Sequence, residues 1–148
     1  MKNATITQQM PIKSTEVFET LHCYERRLEW DTLLKEATLT QGHKETKKGA
    51  TSLCVGKPFC GFFGLETRYL TFNRPDIASV KLINKPRLFK TFAASIRHED
   101  NEQGSIATYK FQFSVKPRFL APLIEPFVLF ALKIETKKRL QALANYYR

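Results

Sequence analysis

Three histidines and three cysteines are the side chains best suited to move protons, attack electrophiles or bind metal: His22, His43, His98, Cys23, Cys54 and Cys60. Imidazole changes charge near neutral pH, and a thiolate is both nucleophile and soft ligand. Their spacing argues against these uses. The chain has no HxxxH, HExxH or CxxC, the arrangements that bring two ligands onto one face. The histidines fall on a helix, a hairpin and a strand end, and each reads as an ordinary surface or hydrogen-bonded residue. The cysteines read as buried or half-buried thiols. No catalytic residue, metal or cofactor is expected.

The remaining polar candidates sit among apolar neighbours. Glu66 and Arg68 alternate with Thr67 and Tyr69. An inward Arg68 could take a ligand carboxylate or phosphate, whereas an outward pair would be a surface ion pair. The Gly64 turn hides the parity, and both readings stand. Tyr109 shares a face with Phe111 and Phe113, so its hydroxyl needs a partner if buried. Trp30 and Asp31 read as a packed corner between helix and strand. In "KPFCGFFGLETRY" (57–69), Pro58, Gly61 and Gly64 mark a turning chain, yet Phe59, Phe62 and Phe63 are large and apolar. Loops are ordinarily polar, so these rings need a place to go.

The elements that must position these residues follow from pattern. The 148 residues make one domain of ordinary size with room for a core. "NATITQQMPIK" (3–13) reads as a strand. Ser14, with Glu16 behind it, reads as an N-cap opening a helix whose apolar face is Val17, Phe18 and Leu21. A second helix is expected over 24–34. The period then changes to two. Strands at 36–42 and 51–57 flank a polar hairpin. Strands at 65–72 and 76–83 follow, then strands at 88–99 and 105–115. In the last, Tyr109, Phe111, Phe113 and Val115 alternate with Lys110, Gln112, Ser114 and Lys116. Short turns between consecutive strands imply an antiparallel meander.

A strong helix closes the chain, starting at Pro126 or kinked there. Leu140 and Leu143 should face the sheet, and the same stripe runs back through Thr136, Leu132, Leu129 and Val128. Phe127, Phe130 and Ile134 then fall on the opposite side. An apolar outer face needs a cover. That cover could be another part of the chain, a second copy in a homodimer, or an acidic membrane surface drawn by Lys133 and Arg118.

The net charge of +10 favours anionic partners, but the basic residues are scattered and no groove-reading motif occurs, so nucleic acid is not expected. No apolar run approaches the roughly 18 residues of a membrane span, and the N-terminus lacks a signal-peptide core. The expected location is cytoplasmic.

In this order, "IKSTEVFETL" (12–21), "LEWDTLLKEATLTQG" (28–42), Gly49, "YKFQFSV" (109–115) and "RLQAL" (139–143) resemble the START-like superfamily, also called the helix-grip or polyketide cyclase/dehydrase and lipid-transport group. The resemblance spans nearly the whole chain. It implies an α+β fold: a curved antiparallel sheet of about seven strands wrapped round a long C-terminal helix, with two short helices after the first strand. It also implies an apolar cavity between sheet and helix, with the loops 57–64 and 83–88 at its mouth. Phe59, Phe62 and Phe63 would line or plug that mouth, with Lys85 and Arg87 opposite. Phe92, Tyr109, Phe111, Val128 and Leu132 would line the interior. The expected function is binding of an apolar or amphipathic, lipid- or isoprenoid-like molecule. The alternative is a cyclase- or hydrolase-type enzyme acting on an aromatic or polyketide-like substrate in the same cavity.

Overall fold

A computed structural model describes residues 2–56, 64–84, 86 and 88–148. The chain runs β1 (Lys2–Met10), α1 (Ser14–Leu21), a 3-10 turn (Tyr24–Arg26), α2 (Arg27–Trp30), β2 (Leu34–Thr40), β3 (Thr51–Gly56), β4 (Gly64–Asn73), β5 (Ile77–Leu82), β6 (Phe89–Asn101), β7 (Gly104–Val115) and α3 (Ala121–Tyr146). The strands form one antiparallel sheet in the order β1-β7-β6-β5-β4-β3-β2. The short helices therefore carry the chain from one edge of the sheet to the other. α3 packs on the concave face, giving the helix-grip α+β architecture.

The β7 alternation holds: Phe111, Phe113 and Val115 are buried while Lys110 and Gln112 are exposed. Other strands break strict alternation with register shifts at Leu34/Glu36, Tyr69/Thr71 and Phe89/Thr91. A bulge inserts one residue and resets which face the following side chains take. That is why Phe89 and Phe92, three apart, both reach the concave side. The tight β6–β7 turn depends on Gly104. Its φ is +136°, and a Cβ there would lie 2.3 Å from the Met10 carbonyl oxygen.

Three boundaries differ from the sequence reading. Ser14 is the first residue of α1 rather than its cap; its amide donates to Asp100 Oδ1 at 2.7 Å. The capping carboxylate thus comes from β6, and the Ser14 backbone bond holds the Asp100 carboxyl below its usual range. The expected helix over 24–34 is one 3-10 turn and one short α-helical turn, because Leu34 already pairs with Gly56 in the sheet. α3 begins at Ala121 and runs through Pro126. Pro122 occupies its first turn, where amides have no helical partner. Pro126 forfeits a single backbone bond near the start of 26 residues, or about 39 Å, of helix.

The core has two apolar clusters. One joins Val17, Phe18 and Leu21 of α1 to Leu140, Leu143 and Ala144 of α3 and to Met10, Tyr69 and Ile96 of the sheet. The other joins Phe89, Phe111, Phe113 and Val115 to Val128. Each ring fully removed from water contributes about 1.5–3 kcal/mol. At the β7–α3 junction the Val115 amide donates to Glu125 Oε2 at 3.2 Å.

Candidate ligand cavity

Between the concave face and α3 lies a cavity of about 190 Å³ with two chemically distinct walls. The aromatic wall comes from β6 and β7. Phe89 meets Phe92 at 5.6 Å between ring centroids, Phe92 stacks on Phe111 at 6.3 Å, and Phe111 meets Tyr109 at 6.1 Å. Leu132 of α3 and Leu65 of β4 extend this apolar surface.

The polar wall comes from α1, the 3-10 turn, α2, β3 and β4. His22 Nδ1 lies 2.9 Å from Tyr69 Oη, Tyr69 Oη lies 2.8 Å from Tyr24 Oη, and Tyr24 donates to Ser52 Oγ at 3.0 Å. Ser52 Oγ continues to Thr67 Oγ1 at 3.3 Å. Because Tyr24 donates to Ser52, Tyr69 donates to Tyr24, and His22 Nδ1–H donates to Tyr69. That order leaves His22 Nε2 as an acceptor, and it is buried with no hydrogen-bond partner among the described residues.

Burial pushes the His22 imidazole well below its usual pKa, with Arg27 acting in the same direction, so the ring is neutral. Burial likewise raises the Tyr69, Tyr24 and Tyr109 phenols, which stay protonated as donors.

A charged floor joins α2 to α3. Asp31 Oδ2 accepts from Arg27 Nε at 2.9 Å and from Arg139 Nε at 3.0 Å, while Asp31 Oδ1 accepts from the Leu33 amide. Burial opposes the Arg27 charge, but Cys54, Asp31 and Tyr24 more than offset it and hold its pKa above the ordinary value. Arg27 also lies over the rings of Trp30 and Tyr24, at 5.0 and 5.9 Å. Burial lifts the Glu135 carboxyl above its usual range, against the pull of Arg139.

Of the residues expected to line a cavity, Phe92, Tyr109, Phe111 and Leu132 do so. Val128 does not: it is buried with Phe113 and Val115, because its position on α3 points into the second cluster. Phe59, Phe62, Phe63 and Arg87, together with Cys60 and Lys85, lie outside the described residues. The β4 parity is settled by pairing. Thr67 opposite Ser52 and Tyr69 face inward, while Arg68 is exposed and Glu66 Oε2 accepts from Thr40 at 2.7 Å.

Two histidines depart from the ordinary reading. His22 is in the cavity wall, and His98 is buried with neither ring nitrogen bonded among the described residues. Tyr24, Arg27, Ser52 and Arg139 also join the site without having been anticipated. One signal was present: Arg27 stands three residues before Trp30, a spacing that puts both on one helical face. Tyr109 is the exception to the expectation of a satisfied hydroxyl. It lines the cavity, and its oxygen makes no hydrogen bond among the described residues. Among the described residues no group of three His, Cys, Asp or Glu could hold a metal, and no helix is long and apolar enough to cross a membrane.

This architecture recurs in solved structures. TTHA0849 from Thermus thermophilus superposes with a TM-score of 0.82, at 8% identity over 97% of this chain and 95% of that one. Ara h 8.0201 gives 0.75 at 12% identity, covering 98% and 96%. BexL, a di-domain ARO/CYC from the BE-7585A biosynthetic pathway, gives 0.78 at 12% identity, covering 97% of this chain and 49% of that one. The chain spans about half the length of BexL and of StfQ, the di-domain ARO/CYC from the steffimycin biosynthetic pathway. No family model matches the sequence, and no curated protein matches it. At these identities the likeness is one of fold, the helix-grip α+β fold, and fold alone does not assign an activity.

Proposed function

We propose that the chain binds a compact amphipathic molecule, isoprenoid-like or aromatic, with one oxygen-bearing end. The carrying observation is the pairing of an aromatic wall with a cavity-facing Tyr109 hydroxyl that has no hydrogen-bond partner among the described residues. The apolar body would lie on Phe92, Phe111 and Leu132. The polar end would take a hydrogen bond from Tyr109, with the positive potential of Arg27 and Arg139 nearby. A cavity of about 190 Å³ is small beside the roughly 300–1,000 Å³ of drug-sized pockets, which favours a single compact skeleton over a two-chain lipid.

Anilinonaphthalene sulfonate, an aromatic anion, is a suitable probe. It should bind with enhanced, blue-shifted emission. Tyr109→Phe should weaken binding by about three- to tenfold, the worth of one hydrogen bond. Equal affinity in the parent and in Tyr109→Phe would sink this reading.

The hydrogen-bonded chain His22–Tyr69–Tyr24–Ser52 favours one second reading, a cyclase. An intramolecular aldol closure forms one carbon–carbon bond and moves one proton from carbon to the new alkoxide. Buried phenol donors could support that step. Turnover of a poly-β-ketone thioester that is lost in Tyr69→Phe would favour the enzyme over the carrier.

A further inference from the structure

The outer surface of α3 is apolar where an ordinary surface helix is polar. Leu123, Phe127 and Phe130 are 69%, 77% and 66% exposed, and Ile134 is 38% exposed. At about 100° per residue these four fall within an arc of about 60° and extend over about 16 Å of helix. Phe119, at 80% exposure, and Leu120 prolong the patch into the preceding turn.

The exposed charges of α3 and of the turn before it are of one sign. Arg118 lies before it, and Lys133, Lys137 and Lys138 lie beside and beyond it, all exposed. The two acidic residues of α3 are on the other side: Glu125 is buried and Glu135 lines the cavity. An apolar stripe whose own helix exposes cations and no carboxylate beside it complements an anionic, apolar-cored surface. It does not complement a second copy of itself, which would bring two cationic rims together on chains of net charge +10 each.

The patch is also placed at one end of the sheet. α3 follows the end of β7 at Val115, the end where β3 stops at Gly56 and β6 starts at Phe89. Gly56 and Phe89 both line the cavity.

We propose that the first half of α3 and the turn before it seat this protein on an anionic lipid bilayer, with the apolar stripe in the headgroup–acyl boundary and the flanking cations on lipid phosphates. The seat begins at the end of the sheet where Gly56 and Phe89 line the cavity. The proposal does not depend on which ligand the cavity takes.

The test is sedimentation with vesicles of equal parts phosphatidylcholine and phosphatidylglycerol, against vesicles of phosphatidylcholine alone. The parent should pellet with the anionic vesicles only, and added salt should release it. Phe127→Ser with Phe130→Ser should lower vesicle affinity by about tenfold or more, and Lys133→Glu with Lys137→Glu and Lys138→Glu should do the same. These side chains are exposed, so unchanged circular dichroism melts should accompany both losses. The part of anilinonaphthalene sulfonate binding that Tyr109→Phe removes reads the cavity separately from the exposed patch, and it should survive both sets of changes. No pelleting by the parent, or equal pelleting by the serine variant, overturns the proposal. So does light scattering that finds a dimer abolished by the serine changes.

Discussion

His98 shows how much a single side chain can cost when its partners are absent. Both ring nitrogens are buried without a hydrogen bond among the described residues, and the ring packs edge-on against Phe18 at 5.8 Å. Burial lowers its pKa from 6.5 to about 4. The native state therefore binds fewer protons than the unfolded chain once the pH falls below about 6.5. Stability is complete above that value and is lost as pH falls toward about 4. Integrated between about pH 7 and about pH 5, the loss from His98 is about 2 kcal/mol. His22, lowered in the same direction, adds to it. Urea unfolding at the two pH values should show the drop, and His98→Leu should flatten it. An equally steep dependence in that variant would remove His98 as the cause. Sequence had offered His98 only as a histidine at a strand end. Its environment includes Phe18 of α1 and the neighbouring His22, far away in the chain.

At the scale of elements, the joint between α2 and α3 rests on one carboxylate. Asp31 has a fully buried side chain and holds Arg27 and Arg139, whose side chains are 11% and 24% exposed. Removing one member of a buried charge cluster leaves the others uncompensated. Asp31→Ala should cost about 3 kcal/mol in urea unfolding, with the start of β2 and the last turns of α3 losing hydrogen-exchange protection first. A cost below about 0.5 kcal/mol would mean that solvent screens both guanidinium groups. The strands teach a related lesson. β7 was legible because its alternation is unbroken from Tyr109 to Val115, whereas the parity of Glu66 to Tyr69 in β4 was hidden by the Gly64 turn, and of the inward β6 rings Phe92 was anticipated and Phe89 was not. A bulge shifts the parity at Tyr69/Thr71 and again at Phe89/Thr91, and a period-two reading has no means of sensing an inserted residue.

At the scale of the molecule, the cavity separates two apolar clusters that share Tyr109 and Val80 at their borders. A ligand filling the space would bind the folded state alone and stabilise it by mass action. At about one hundred times its dissociation constant the gain is about 2.7 kcal/mol, or about 7–9 °C in Tm for a chain of 148 residues. A thermal-shift screen of isoprenoid alcohols, aromatic acids and polyketide-like phenols should therefore rank ligand classes by size and by the oxygen they carry. A flat response across all of them would count against the cavity as a binding site.

What the sequence determined was whatever is written in periods and turns. The unbroken alternation of 109–115, the short polar connections and the long terminal apolar pattern specify an antiparallel meander closed by a helix. The outward set of Phe127, Phe130 and Ile134 was also legible, because residues on one helix keep their angular relation wherever the helix docks. Tertiary structure alone decided the polar wall. His22, Tyr24, Arg27, Ser52, Tyr69 and Arg139 come from six elements or turns, and their hydrogen bonds span separations as long as the 108 residues between Asp31 and Arg139. No local pattern encodes such distances. They arise when the short helices cross from one edge of the sheet to the other and α3 lies down beneath them.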